Sequence, residues 1–466
     1  MASAFDEAES LVRDFARRTN LQLAGRPFRV TRPDAVGTSL RGLLVALGCR
    51  ELGAGQEAPG MIEFGDGVLL DGVPIPDRGD AAGRIDFAGD HMPAARAIAD
   101  GLDLSGLSIG VAMMLEPKTA NLALLLASAG ADVAVYAHPD ETDPQVAEAL
   151  RERGIAVDAD ASLAGEAERA AALAWLSRGF DVVMDDGSHL IRLAHESAPE
   201  QVERWIGACE ETTSGLRPLR AMDSLGLLKT PVVAVNDAET KTSFDNRYGT
   251  GQSCVFAIAD VLDGAGITVR DQPALVIGYG PVGQGVAAHL RALGATVRVA
   301  EQDPVRSLLA IHDGYDVGYA NLLAQDALVV SATGVRGTVT ERMVRIARAV
   351  AVAGGVPHEI ALDGAEFEPV APHLDRLGDT LVLDRGGCIN ITAAEGNPIE
   401  IMDLSFATQL AGLEFLLKER PGIGVHPIPN DYVAAVANAA LAAREINAAP
   451  APASGSDADW RSARYR

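Results

Sequence analysis

The chain of 466 residues is too long for one ordinary domain, and its composition, 48% hydrophobic but only 5% aromatic, favours layers of helices and strands packed through small side chains. A formal net charge of −25 argues against nucleic acid and anionic membranes as partners. Four scattered cysteines without a CxxC pair, and the lack of a signal peptide or a membrane-spanning apolar run, predict a cytoplasmic protein with no metal site.

Residues 1–89 form an N-terminal extension of distinct composition. A helical start leads into the short apolar runs MIEF and GVLLDGVPIP, which predict strands around turns. No motif in this extension indicates a chemistry.

Strands and helices begin to alternate near residue 105. The runs that predict strands are SIGVAMML, ADVAVYA, IAVDAD, FDVVMDD and PVVAVND. The helical patterns between them include TANLALLLASAGA and QVAEALRERG. Apolar strands separated by helices predict a parallel sheet that is covered on both faces.

A second unit of this kind begins near residue 273. The run PALVIGYGPVGQGVAAHLRALGATVRVAEQD predicts strand, glycine turn, helix and strand, and further strands are predicted at DALVVSATG, RAVAVAGG and TLVLD. Residues 396–446 are predicted to be mainly helical. Residues 447–466 are rich in Ala, Pro and Ser, which predicts a mobile tail.

The glycine turn of the second unit has the spacing GxGxxG. Its first glycine permits the tight turn, its second lets the backbone approach a pyrophosphate, and its third lets helix and strand pack closely. Glu301 ends the next strand, where an acid binds ribose hydroxyls and repels a 2′-phosphate, so we predict NAD rather than NADP. An incidental glycine turn would not explain why strand, turn, helix and acid coincide. The predicted cofactor site includes Gly278, Gly280, Pro281, Val282, Gly283 and Glu301.

Further strings of polar residues lie on either side of this turn. They are Asp185-Asp186-Gly187, Glu210-Glu211-Thr212-Thr213-Ser214-Gly215, Val235-Asn236-Asp237, Lys241-Thr242-Ser243-Phe244-Asp245-Asn246-Arg247-Tyr248-Gly249, Asn390, and Gly396-Asn397-Pro398 with Met402 and Phe406. Together they resemble the signatures of the adenosylhomocysteine hydrolases. The resemblance runs from about residue 90 to about residue 445 and does not cover the extension or the tail.

This resemblance implies an α/β fold with two domains across a cleft. One is a Rossmann-type, doubly wound NAD-binding domain over residues 250–392. The other is a discontinuous α/β substrate-binding domain over residues 90–249 and 393–446. The resemblance also implies an adenine nucleoside as substrate and a homotetramer.

The resemblance also implies a reaction. In the family, NAD oxidises the ribose 3′-hydroxyl, the ketone acidifies the neighbouring C4′–H, the 5′ substituent leaves, water adds, and the ketone is reduced. By motif match, Lys241 and Asp245 would handle the hydroxyl proton, and we expect burial to lower the pKa of Lys241 for that purpose. Glu211 would bind sugar hydroxyls, and Asp186 would act at C4′ and C5′. NAD contacts are implied for Thr212, Thr213, Ser214, Asn246 and Asn390.

The alternative for Lys241 and Asp245 is an ordinary surface ion pair, which is common in acidic proteins. Asn246 would position Lys241 if the resemblance holds. We expect the substrate to be bound by Glu116, Lys118, Thr119, Asp186, Glu211, Lys241, Asp245, Asn397, Met402 and Phe406.

The chain departs from the family pattern around the leaving group. Met114 and Gly355 stand where the family has two histidines, and Asn397 stands in place of a third. His189 replaces an aspartate, and with Glu116 it could supply a new acid or base.

These departures suggest three hypotheses. The first is a nucleoside dehydratase, in which water is eliminated and the ketone is reduced before water re-adds, as proposed for angustmycin-type antibiotics. The second is an adenosylhomocysteine hydrolase with substituted histidines. The third, a non-catalytic NAD-binding regulator, is disfavoured because Lys241, Asp245 and the glycine turn are all present.

Overall fold

The computed structural model describes residues 3–53, 55–353 and 358–446. Strands in this part of the chain form three sheets, of five, seven and eight strands. The predicted tail and Gly355 lie outside the described residues. None of the described helices is both long enough and apolar enough to cross a membrane.

The N-terminal extension folds around the five-stranded sheet. Its elements are α1 Ala4–Thr19, β1 Pro27–Val30, α2 Ala35–Ala46, β2 Arg50–Glu51, β3 Ile62–Phe64, β4 Val68–Leu70 and β5 Val73–Pro74. The strand order is β2-β1-β3-β4-β5, with β1 parallel to both neighbours and the last two pairs antiparallel. Ser3 and Asp6 form a capping box that starts α1.

The second unit alternates helices and strands up to residue 242. Its elements are α3 Ala81–Asp90, α4 Pro93–Ala99, β6 Ser108–Ala112, α5 Pro117–Ser128, β7 Asp132–Ala137, α6 Pro144–Glu152, β8 Ala156–Ala159, α7 Glu166–Leu176, β9 Val182–Asp185, α8 His189–Ser197, α9 Pro199–Val202, β10 Gly207–Glu210, α10 Thr213–Ser224, β11 Pro231–Ala234 and α11 Glu239–Thr242. A π-helical turn, Asp245–Gly249, then leads into the next unit.

The third unit contains the glycine turn. Its elements are α12 Thr250–Asp263, β12 Pro273–Ile277, α13 Pro281–Ala292, β13 Thr296–Ala300, α14 Pro304–His312, β14 Asp316–Val317, α15 Ala320–Leu323, β15 Leu328–Ser331, α16 Glu341–Ile346, β16 Ala349–Val352, β17 Glu368–Ala371, β18 Leu374–Leu377, β19 Thr380–Leu383 and α17 Ile389–Thr392. The chain then returns to the second unit through α18 Ile399–Glu419, β20 Gly424–Pro427 and α19 Asn430–Ala442.

Both large sheets are doubly wound. The seven-stranded sheet has the order β20-β11-β10-β9-β6-β7-β8 and is parallel throughout. The eight-stranded sheet has the order β14-β13-β12-β15-β16-β19-β18-β17 and is parallel except for the antiparallel edge β17-β18-β19. The strand order reverses beside β6 and beside β12, which places a ligand crevice at the carboxyl ends of these strands.

The predicted α/β fold with a Rossmann-type unit is therefore confirmed. The predicted domain limits follow the three sheets closely, although the limits themselves stay predictions. The antiparallel edge of the third sheet and strand β20, which lies in the segment expected to be mainly helical, are not apparent from the sequence.

The N-terminal extension packs against both other units. Gln252 on α12 accepts a hydrogen bond from the amide of Leu23 (2.9 Å) and donates one to the carbonyl of Leu21 (3.0 Å). The amide of Ile399, at the start of α18, donates to the carbonyl of Asn20 (2.8 Å). The extension thus contacts α12 and α18, the helices that begin where the chain passes from one large unit to the other.

Candidate active site

A buried lysine lies beyond the carboxyl end of β11, on α11. The Lys241 ammonium lies 2.7 Å from a carboxylate oxygen of Asp245, 3.1 Å from Oδ1 of Asn246 and 3.4 Å from Oδ1 of Asn236. The π-helical turn brings Asp245 and Asn246 back towards Lys241. The Lys241 and Asp245 side chains are only 3% and 9% exposed, which rules out the surface ion pair.

The pKa of Lys241 is shifted in the direction opposite to our expectation. Burial alone would lower the pKa of Lys241, but the carboxylates of Asp245 and Glu211 outweigh burial and raise it. The prediction of a lowered pKa is therefore wrong. Lys241 stands in the crevice as a cation that can donate hydrogen bonds.

Glu211 follows β10 and is also buried. Its Oε1 accepts a hydrogen bond from the Ser405 hydroxyl on α18. Its Oε2 is buried and has no hydrogen-bond partner among the described residues. Burial raises the pKa of Glu211 to about 8, with Lys241 opposing the shift. Glu211 can therefore offer a polar oxygen to a ligand hydroxyl.

The two aspartates after β9 have different surroundings. Asp185 is fully buried, and its Oδ2 accepts a hydrogen bond from the amide of Ile191 (2.7 Å) in α8. Asp186 lies beside β6, where its amide donates to the carbonyl of Ala112 (3.0 Å). Burial raises the pKa of Asp186, and the nearby charge of Lys241 opposes the shift. Asp186 is therefore the aspartate placed with Lys241.

His189 begins α8, one turn away from Asp186. Its ring lies 5.0 Å from the His138 ring, nearly perpendicular to it, and its Nδ1 lies 3.4 Å from Arg192. His189 keeps an exposed surface, and partial desolvation together with the positive neighbours His138 and Arg192 lowers its pKa. At neutral pH His189 is uncharged and can act as a base or hydrogen-bond partner.

His138 is a neighbour of this site that the sequence motifs do not include. It follows β7, and its Nδ1 lies 2.8 Å from a carboxylate oxygen of Glu168 on α7. Its Nε2 is buried without a hydrogen-bond partner among the described residues. The only signal in the sequence was its position after an apolar strand, which many structural residues share.

The glycine turn has the shape that a dinucleotide requires. Gly278 has φ +94°, and a Cβ on Gly283 would lie 1.9 Å from the carbonyl oxygen of Gly278. Glu301 directly follows β13, and its carboxylate accepts hydrogen bonds from the amides of Tyr279 (2.6 Å) and Gln302 (2.7 Å). The turn and the acid are thus held in register, and Pro281 and Val282 form the first turn of α13.

Asn397 links the two halves of the site. Its amide donates hydrogen bonds to Asp245 and to the Thr250 hydroxyl (3.1 Å). Its Oδ1 accepts from Asn390 (3.0 Å) and from Ser253 (2.7 Å). The residue in the place of the family's third histidine therefore positions Asp245 and the predicted cofactor contact Asn390.

The predicted contacts after β10 are arranged around the start of α10. The Thr212 hydroxyl donates to Glu210 (2.7 Å) and accepts from the amides of Gly187 (3.0 Å) and Gly215 (3.1 Å). The Ser214 hydroxyl donates to Thr212 (3.1 Å), and Thr213 is the first residue of the helix. This turn is therefore bonded to the loop that carries Asp186.

The remaining predicted substrate residues form a second cluster. Glu116 caps α5 by accepting from the amides of Lys118 (2.9 Å) and Thr119 (3.1 Å). The buried Lys118 ammonium lies 2.6 Å from Glu116 and donates to the carbonyl of Glu395 (2.5 Å). Met114 is close enough to Gly396 that a Cβ there would meet its methyl group at 2.7 Å.

On α18, Met402 is half-buried and Phe406 is 1% exposed within the core. Their predicted contacts with substrate stay predictions, as do the individual roles of the other site residues.

Known proteins resemble this chain over most of its length. Residues 246–395 match the family model described as S-adenosyl-L-homocysteine hydrolase, NAD binding domain. An S-inosyl-L-homocysteine hydrolase from Methanopyrus kandleri is 36% identical, over 77% of this chain and 89% of that protein. An adenosylhomocysteinase from Archaeoglobus fulgidus is 39% identical over 67% and 80%, and one from Thermotoga maritima is 35% identical over 77% and 93%.

These matches confirm the family resemblance and NAD as the cofactor. With the buried Lys241–Asp245 pair and the glycine turn of α13 in place, they establish that the chain belongs to the S-adenosyl-L-homocysteine hydrolase family of enzymes.

Proposed function

We propose that this enzyme oxidises a sugar hydroxyl of a purine nucleoside and then eliminates the substituent on the adjacent exocyclic carbon. The observation that carries the proposal is the buried Lys241–Asp245 pair, with the Glu211 and Asp186 carboxyls close enough for Lys241 and Asp245 to shift the pKa of each. Bound NAD would supply the hydride acceptor for the oxidation and the hydride donor for the final reduction.

Different side chains of the protein carry out the separate proton transfers. Lys241 donates a hydrogen bond to the sugar oxygen. The proton that the sugar hydroxyl loses on oxidation passes by way of Lys241 to Asp245. Glu211 bonds a sugar hydroxyl through its unpaired Oε2. Asp186 takes the proton from the carbon next to the ketone, where its raised pKa makes it a stronger base than an exposed aspartate.

Two leaving groups fit this chemistry. The relatives favour a homocysteine thioether, because those described above are named as an S-inosyl-L-homocysteine hydrolase and as adenosylhomocysteinases. This alternative is at least as well supported as the loss of water.

The substitutions around the leaving group favour a changed leaving group, for which loss of water is the candidate. Met114 offers no proton, and the polar groups of Asn397 are all engaged with protein partners, so another group would have to protonate a departing hydroxyl. The changed residues around the leaving group are consistent with a dehydratase that forms an unsaturated nucleoside, as in nucleoside antibiotic biosynthesis.

Product analysis distinguishes these possibilities. The protein, with bound NAD verified, is incubated separately with adenosylhomocysteine, inosylhomocysteine, adenosine and a ketohexose adenine nucleoside, and products are identified by mass spectrometry. Homocysteine with a free nucleoside would establish hydrolysis, and a nucleoside lighter by one water would establish dehydration. If no substrate yields product or reduces the cofactor, the proposed function is overturned.

We also propose a homo-oligomer, with a tetramer as the expected form. Apolar side chains are exposed along α14 and α15: Val305, Leu308, Leu309, Ile311, Tyr319 and Leu322. Such a strip is typical of a surface that a second subunit covers. The four cysteines are free thiols, which supports the proposed cytoplasmic location.

A further inference from the structure

A carboxyl group outside the family motifs lies beside the position of the first missing histidine. The amide of Leu115 donates to the carbonyl of Glu141 (2.9 Å), and Leu115 pairs with Thr142 in a parallel bridge. This register places Glu141 next to Met114 at the carboxyl end of β6. Asp186 flanks the same strand end from the β9 side.

The Glu141 side chain lies near Asp186 and has no protein partner among the described residues. It is half-buried, and it makes no hydrogen bond or ion pair with any other described residue. The turn that carries it, Pro139–Glu141, packs against α17 of the NAD-binding unit, and the thiol of Cys388 lies nearby. Glu141 is thus positioned between the two halves of the site.

The surroundings keep this carboxyl protonated. Burial, together with the neighbouring negative groups, raises the pKa of Glu141 to about 8. The carboxylates around it are those of Asp140, Asp185, Asp186 and Glu168. The nearby His138 ring is already paired with Glu168.

We propose that Glu141 is a catalytic general acid that protonates the group leaving the exocyclic carbon, in place of the histidine lost at Met114. This inference rests on the proposed oxidation and elimination.

The proton transfer can be written for a hydroxyl leaving group. A base removes the C4′ proton of the ketone, and the electron pair of that bond forms the C4′–C5′ double bond as the C5′–O bond breaks. The oxygen keeps the electron pair of the broken bond and takes the proton of Glu141, so water leaves and Glu141 becomes a carboxylate. Re-addition of water returns the proton to Glu141.

The need for an acid depends on the leaving group. Hydroxide is a poor leaving group and requires a proton, whereas chloride leaves without one. Replacing Glu141 by Gln keeps the size of the side chain but removes its exchangeable acid. The variant should therefore distinguish the two leaving groups on the same nucleoside.

The test compares the unchanged protein with Glu141→Gln, both with bound NAD. Adenosine is incubated in ¹⁸O-labelled water, where elimination and re-addition exchange the 5′ oxygen, and 5′-chloro-5′-deoxyadenosine is assayed for chloride release. We expect Glu141→Gln to lose about a hundredfold or more in oxygen exchange. Chloride release and the rate of NADH formation should change by less than about threefold, because oxidation does not use Glu141.

The pH profile provides a second readout. Oxygen exchange by the unchanged protein should decline as pH rises through about 8, and this decline should be absent in Glu141→Gln. Asp140→Asn, at the exposed position of the same turn, is the matched control: it should keep the exchange and shift the decline to lower pH, because it removes one neighbouring negative charge.

Equal effects of Glu141→Gln on oxygen exchange and chloride release, or no effect on either, would overturn the role of Glu141. Failure of the unchanged protein to form NADH from either nucleoside would overturn the proposed function and this inference with it.

Discussion

The amide of Asn397 donates a hydrogen bond to Asp245, and this contact ties the segment before α18 to the buried lysine site. Asp245 in turn lies 2.7 Å from the Lys241 ammonium. Asn397 also bonds Asn390 on α17 (3.0 Å), so one side chain connects the proton-handling pair with the NAD-binding unit.

Replacing Asn397 by Ala should slow oxidation of the nucleoside by about tenfold to a hundredfold, because Asp245 would lose a donor that fixes its orientation towards Lys241. The rate is measured as NADH formation after rapid mixing with substrate. Ser253→Ala, which removes a bond to Oδ1 of Asn397 and a long bond to the carbonyl of Thr250 but leaves the Asn397–Asp245 contact, is the control and should have a smaller effect. A variant that oxidises as fast as the unchanged protein would contradict the positioning role.

Replacing Lys241 by Gln should reduce the oxidation rate by about a hundredfold to ten-thousandfold, because the site loses the buried ammonium beside Asp245 and Glu211. Cofactor content should stay the same, since Lys241 is not part of the glycine turn. Lys229→Gln, at an exposed position, serves as the control for the loss of one positive charge. Retention of more than about a tenth of the rate would exclude Lys241 from proton handling.

The parts of the fold and site that could be predicted from the sequence are those that depend on short motifs and on the local pattern of apolar residues. Apolar strands alternating with helices indicated the doubly wound sheets, and GxGxxG followed by Glu301 indicated the dinucleotide turn. Lys241 and Asp245 were predicted as a pair from the family resemblance, and the structure places them in contact.

Other contacts could not be predicted because they depend on strand register and long-range packing. Glu141 approaches Met114 only because β6 and β7 are parallel neighbours whose ends pair at Leu115. The extension holds α12 through backbone groups of Leu21 and Leu23, and backbone groups leave no residue signature in a sequence.

The close approach at Gly283 predicts a strong effect of a single methyl group. Gly283→Ala would place Cβ 1.9 Å from the carbonyl of Gly278, so the turn must open. We expect a loss of stability of about 1–3 kcal/mol. We also expect at least about a tenfold loss in affinity for NAD, because the backbone can no longer approach the pyrophosphate.

Thermal unfolding with and without added NAD, together with a titration of the NAD-free protein, measures both effects. The control is Gly42→Ala in α2, where a Cβ meets nothing within 4 Å and the helix should be neutral or slightly more stable. Similar unfolding temperatures and NAD affinities for Gly283→Ala and Gly42→Ala would show that the turn tolerates a side chain.

The buried Asp185 predicts a specific dependence of stability on pH. Burial raises the pKa of Asp185 from 3.8 to about 8, and its Oδ1 has no hydrogen-bond partner among the described residues. Since the folded protein holds this proton over a pH range in which the unfolded chain has lost it, the free energy of unfolding should fall as pH rises from about 4 to about 8.

Asp185→Asn should make this decline shallower, because the amide cannot ionise and its oxygen can still accept the hydrogen bond from Ile191. Urea unfolding near pH 5 and near pH 8 measures the difference for the unchanged protein, for Asp185→Asn, and for the exposed control Asp100→Asn, which should leave the slope unchanged. The same slope in all three proteins would mean that Asp185 is already ionised in the fold. A buried carboxylate beside Asp186 would then make Asp186 harder to ionise, and its role as the base at C4′ would have to pass to another group.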